Sequence, residues 1–161
     1  MKKLRVYLDT TVISYLDQPE RGEQFADTHR LWEKLRAGAF NVYLSDITTA
    51  EVNDCKEPKK LILFEYLDQI EYTLIETNER TTAIAQRFID LSILSPKSFD
   101  DCQHIAAAIV SECDIVVSWN FKHIVNHKTM MGVKAITALE GFDDVLIYTP
   151  SVLAGGDDDD I

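Results

Sequence analysis

The stretch KKLRVYLDTTVISYLD, residues 2–17, decides how the rest of the chain is read. Its apolar segment, Leu4, Val6, Tyr7 and Leu8, is short and ends abruptly in Asp9, Thr10 and Thr11, the pattern of a buried strand closed by a polar turn. Four further runs share this character, at 40–44, 72–75, 115–117 and 145–148. Between them, apolar residues recur at helical spacing. Phe25, Trp32 and Leu35 precede Gly38; Leu61, Phe64 and Leu67 follow Pro58; Ile84, Phe88 and Leu91 precede Pro96; Ile105, Ala108 and Ile109 follow Ser98. Strands alternating with helices predict an α/β chain, a three-layer α/β/α sandwich whose central five-stranded parallel sheet is covered on both faces.

With 161 residues, 46% of them hydrophobic, the chain suits one domain, expected over 1–150, followed by an acidic tail at 151–161. That tail ends in GGDDDDI, whose adjacent like charges favour solvation, so it is expected to be disordered. No apolar run approaches the roughly 20 residues that cross a bilayer, and none near the N-terminus has signal-peptide length. Cys55, Cys102 and Cys113 are odd in number and lack C-x-x-C spacing, which argues against a disulfide framework and a zinc knuckle. A soluble cytoplasmic protein without membrane association is the expectation. Twenty-seven acids against sixteen bases give a formal charge of -11, which opposes long-range steering toward nucleic acid.

In such a sandwich the loops following the strands gather along one edge of the sheet, where ligands bind. Asp9 stands at the exit of the first strand and Asn120 just past the fourth; Glu51 falls in the helix after the second strand and Asp101 near the start of a later helix. Each has an ordinary structural reading. Asp9 suits a helix N-cap, and Thr48 to Glu51 (TTAE) and Ser98 to Asp101 (SFDD) fit the S/T-x-x-E/D capping pattern. Asp114 precedes the fourth strand and is expected on the surface at the opposite edge.

Taken together, LDTTV, LSDITTAEV, SFDDCQHIAAA and DIVVSWNFKH resemble, in order, the four signature regions of PIN-domain ribonucleases, a family that includes VapC-type toxins of bacterial toxin–antitoxin pairs. The likeness runs from about Val6 to Pro150. Asp9-Thr10-Thr11-Val12 matches the first acidic motif, Ser45-Asp46-Ile47-Thr48 precedes Glu51 as in the second, and Asp101-Cys102-Gln103-His104-Ile105-Ala106 matches the third, which prefers Asp101 over Asp100. Ser118-Trp119-Asn120 matches the fourth with asparagine where the family usually carries aspartate, so the site lacks one formal charge and a second metal ion loses support.

The resemblance implies a metal-dependent endoribonuclease with Asp9, Glu51, Asp101 and Asn120 catalytic, and with Asp9, Asp101 and Glu51 holding Mg²⁺ or Mn²⁺. Hard cations favour such oxygen donors, and the three acids would repel one another without neutralisation. Thr10 and Ser118 support them as hydroxyl donors. The implied partners are RNA, a small antitoxin and a second copy of the chain; Leu31 and Leu61 mark helices whose apolar faces suit either a dimer or the core. The implied products carry a 5′-phosphate and a 3′-hydroxyl. For substrate, Trp119 suits either base stacking or core packing, and Lys122 with His123, His127 and Lys128, or Lys56 with Lys59 and Lys60, suits either phosphate binding or an ordinary solvated surface. His104 is expected to serve helix packing.

A different class of function is a weakened PIN domain that binds RNA or protein without cutting, suggested by Asn120 and the acidic surface. A haloacid-dehalogenase-like phosphatase needs D-x-D where this chain has Thr11, and a receiver domain needs an acidic pair that RVYLD lacks. Neither accounts for the three later segments.

Overall fold

β1 (Arg5–Leu8) lies at the centre of a sheet ordered β3-β2-β1-β4-β5, with β2 at Asn41–Ser45, β3 at Thr73–Ile75, β4 at Ile115–Val117 and β5 at Leu146–Tyr148. The computed structural model describes residues 2–155. Every strand pair is parallel, and Val6 is flanked by Val42 and Ile115. The five-stranded parallel sandwich expected from the alternation is therefore the architecture found.

Side chains of β1 alternate between two cores, as strand geometry requires. Val6 and Leu8 enter one with Trp32, Leu44 and Leu63; Tyr7 enters the other with Phe88, Ile105 and Val116. The first layer contains α1 (Thr10–Tyr15), α2 (Glu23–Arg36), α3 (Asp46–Asn53) and α4 (Lys59–Leu67). The second contains α5 (Glu79–Asp90), α6 (Phe99–Val110) and α7 (His127–Glu140). Among the described residues no helix is long and apolar enough to cross a membrane.

Strands β2 and β3 lie to one side of β1, and β4 and β5 to the other. The direction of strand succession thus reverses between β1 and β4, and the crevice outside their carboxyl ends is where such sheets seat ligands. Asp9 and Ser118 are the residues that follow these two strands, and the Asp9 N–H donates to the Val117 carbonyl at 3.2 Å.

Several local expectations are corrected. Thr48 lies inside α3, whose cap is Ser45, accepting from Ile47 N–H at 3.2 Å; TTAE is therefore not a capping box. Ser98 precedes α6 without a side-chain cap bond, so SFDD is not one either. Leu31 is core rather than a dimer face, whereas Leu61 is 57% exposed. Helix α7, absent from the sequence reading, has no clean apolar stripe; Asn126 caps it by accepting from Thr129 N–H at 2.9 Å, and Gly141 ends it in the left-handed region at φ 76°. The packed chain also passes the boundary expected at 150. Pro150–Ala154 forms α8, and Ala154 enters the first core, because Pro150 opens a helix whose apolar side meets α2. The expected disorder of 156–161 lies outside the described residues. Asp114 is exposed at the amino end of β4, as expected, and accepts the Arg5 N–H at 2.8 Å.

Candidate functional site

Asp9 is buried at the exit of β1, and its carboxylate serves two neighbours at once. One oxygen caps α1, accepting from Thr11 N–H at 3.0 Å and Val12 N–H at 3.4 Å, and also from the Thr11 hydroxyl at 2.5 Å. The other accepts the Ser118 hydroxyl. The capping reading of Asp9 is thus correct, and the same carboxylate also reaches Ser118 at the exit of β4. Burial pushes its carboxyl above the ordinary range, against the His104 charge and the bonds from Ser118, Thr11 and Val12.

From Ser118 the network continues outward. Its Oγ accepts the Asn120 N–H at 2.9 Å, Asn120 Nδ2 donates to Asp101 at 3.3 Å, and the other Asp101 oxygen lies 2.9 Å from His123 Nδ1. Asn120 Oδ1 accepts the His123 N–H at 2.9 Å, which folds the loop back on itself.

Glu51 belongs to a second branch. Its Oε1 is 2.8 Å from Nε2 of His104, whose Nδ1 is 2.6 Å from the Tyr7 hydroxyl, itself 2.7 Å from Ser45 Oγ. The Glu51 contact puts the proton on His104 Nε2, since a carboxylate accepts. Burial alone would lower the His104 pKa, but the Glu51 hydrogen bond and the charges of Asp9, Glu51 and Asp101 outweigh it and hold the imidazole above its ordinary value. Burial likewise raises Glu51, yet His104 overcomes it and the carboxyl stays below its usual range. Thr10 Oγ1 approaches His104 Nε2 at 3.5 Å, the limit of a hydrogen bond.

The expected residues therefore meet at one edge, in two branches that both begin at β1. They do not surround one opening. Glu51, Asn120, Thr10 and Lys122 line a pocket of about 510 Å³, beneath which Asp9 is buried, while Asp101 is reached through Asn120. Trp119 is 4% exposed; it stacks on Tyr15 with ring centroids 5.6 Å apart and donates Nε1–H to Thr28 at 2.8 Å, so core packing prevails over base stacking. Lys56, Lys59 and Lys60 line none of this pocket.

The expectation for His104 is also corrected: it orients Glu51 as well as filling the core. The sequence reading missed this role, the Tyr7 and Ser45 hydroxyls, Thr11 as donor to Asp9, and the pairing of His123 with Asp101. A signal existed in α6, where His104 and Gln103 are the polar members of an otherwise apolar run from Cys102 to Ile109.

The same geometry tests the expected cation. Among the described residues no three His, Cys, Asp or Glu side chains stand close enough to share a metal ion. Both Asp9 oxygens accept hydroxyl or backbone donors, Glu51 Oε1 pairs with His104, and the Asp101 oxygens pair with Asn120 and His123. The donor types suit Mg²⁺ or Mn²⁺, but their arrangement does not fit a resident ion: among the described residues the three carboxylates do not converge, and each is turned to an internal partner.

Against solved structures the chain is similar, at TM-score 0.55 and 15% identity, to a chain in the crystal structure of VapBC2 from Rickettsia felis bound to a DNA fragment from their promoter, covering 91% of this chain and 98% of that one. A chain of VapBC-1 from nontypeable Haemophilus influenzae gives TM-score 0.56 at 14% identity, over 92% and 99% of the two chains. The fold is PIN-like. No family model matches the sequence, and neither does any curated protein. On this PIN-like sheet the two hydrogen-bonded branches lie at the strand-order reversal, where the architecture itself would place a ligand.

Proposed function

We propose that the chain is an endoribonuclease hydrolysing RNA phosphodiester bonds at the carboxyl edge of its sheet, as the toxin half of a toxin–antitoxin pair. The observation that supports it is the meeting of Asp9, Glu51, Asp101 and Asn120, from four separate segments, around the exits of β1 and β4. In this reading Glu51 borders the pocket as an ionised carboxylate, fixed by His104, and accepts the proton of the attacking water. Lys122, at the mouth, neutralises the phosphate. The products carry a 5′-phosphate and a 3′-hydroxyl. A small antitoxin protein, a second copy of the chain and a cytoplasmic setting belong to the same proposal. The implied Mg²⁺ or Mn²⁺ finds no preformed cage, and the reading stands on the chain's own groups.

That missing cage favours a second reading, a PIN-like module that binds RNA or protein without cutting it. Incubation of purified protein with a panel of RNAs, in Mg²⁺, in Mn²⁺ and in chelator, separates the two. Cleavage that drops about 100-fold or more in Glu51→Gln supports the nuclease, since a positioned proton acceptor contributes at least that much. Intact RNA under every condition would favour the binding module. Glu51 is the better position to test, because Asp9→Ala also removes a helix cap and unfastens Ser118.

A further inference from the structure

Lys122 lines two pockets at once. The first is the one already described; the second, about 280 Å³, adjoins it at Lys122 and is also lined by Ser98, His123, Asn126 and Lys128. The wall of the first pocket is aromatic. Arg21 sits 4.3 Å over the Tyr15 ring, Tyr15 stacks on Trp119, and Phe121 tilts against Trp119 with centroids 6.2 Å apart. Phe121 closes this ladder and is 50% exposed, an apolar ring presented at the rim of a polar site. Neither Lys122 nor Lys128 forms an ion pair among the described residues.

We infer that the two pockets are one continuous seat for single-stranded RNA, with a base stacked on Phe121, the following phosphate on Lys122 and the strand running past His123 to a second phosphate on Lys128. This rests on the ribonuclease reading for the choice of polymer and adds where the strand lies. Three observations carry it. The buried Trp119 ring, itself stacked on Tyr15, backs Phe121, so stacking a base on it costs little ordering. Lys122 lines both pockets and Lys128 only the second, so the cations continue from the aromatic pocket into its neighbour. With a formal charge of -11, the chain has no general attraction for a polyanion, so binding depends on such local contacts. A duplex keeps its bases stacked and offers no face to Phe121; unpaired bases do.

The test is fluorescence anisotropy of a labelled single-stranded RNA hexamer and of the matching duplex, with the full chain in chelator so that binding is read apart from cleavage. Phe121→Ala is expected to weaken single-strand binding by about tenfold, within the range for losing one base–aromatic stack, and Phe121→Tyr to retain it. Lys128→Ala should reduce the slope of log affinity against log salt by about 0.7, the value for one phosphate contact on a single strand. Duplex binding should be weaker and indifferent to Phe121. Failure of the native chain to bind the hexamer, or equal affinity in Phe121→Ala, overturns the seat. Cleavage that persists alongside equal affinity would leave the ribonuclease standing without it, whereas Phe121-dependent binding without any cleavage would leave the seat standing and remove the nuclease.

Discussion

The two branches of the site share one chemistry and differ in setting. In each, an imidazole stands 2.8 to 2.9 Å from a carboxylate: His104 on Glu51 and His123 on Asp101. The His104 side chain is 3% exposed and has the Tyr7 hydroxyl behind it, whereas that of His123 is 32% exposed and backed by a loop. An ion pair near water contributes little because solvent screens it, but a buried polar network is costly to break because its members then lack partners. The same pairing therefore acts as a structural post on one side and as an adjustable contact on the other.

The strongest way to break this contrast is His104→Ala. It leaves the Tyr7 hydroxyl with Ser45 alone and Glu51 without its donor, and urea unfolding should show a loss of about 2–4.5 kcal/mol, from one neutral hydrogen bond at about 0.5–1.5 kcal/mol and one to a charged group at about 1.5–3 kcal/mol. A loss no larger than that of His123→Ala would mean that burial does not distinguish the branches.

A milder perturbation is pH. The folded pKa of His104 lies above its ordinary value, so its contribution is complete below about pH 6.5 and declines as pH rises through the folded value. Asp9, also raised, acts in the same sense. Glu51 is depressed, so its contribution is present above its ordinary value and declines as pH falls through the folded one. Thermal melts should thus show stability falling above about pH 6.5. His123→Ala should keep that decline, and a native profile flat to pH 9 would contradict the assignment.

Asn120→Asp sharpens the contrast on the exposed side. It exchanges the amide donor to Asp101 for a second carboxylate, which should cost about 1–2 kcal/mol in chelator, the loss of one hydrogen bond plus like-charge contact. Millimolar Mg²⁺ or Mn²⁺ should recover most of that loss in the variant and raise the native melting temperature less, since only the variant gains an oxygen charge free for a cation. An equal response in both proteins would mean that Asn120 does not govern cation affinity. The smallest effect belongs to His123→Ala, expected below about 1 kcal/mol, as for other partly exposed ion pairs.

The contrast also explains what was readable beforehand. Strand runs and turn signals are local, and the alternation of apolar segments dictates a parallel sheet because each element must bury the face it presents. That logic located all five strands and carried Asp9, Glu51, Asp101 and Asn120 to the same edge. It failed where pattern was weak, as in α7, and where short motifs had a second explanation, as at Thr48 and Ser98. It left Trp119 open between base stacking and core and did not single out Phe121, the two rings that flank Asn120, because composition does not say which ring a neighbouring helix will cover.

By itself the sequence determined the layers, the edge and the residue types of the site, since these follow from periodicity and from which residues terminate each strand. Only the tertiary structure decided the pairing. His104 meets Glu51 across 53 positions, and Ser118 meets Asp9 across 109, through a sheet whose register brings Leu8 beside Val117. Whether a carboxylate turns toward water, toward a cation or toward an imidazole depends on which donor arrives within about 3 Å once the cores have closed, and no local pattern encodes that distance.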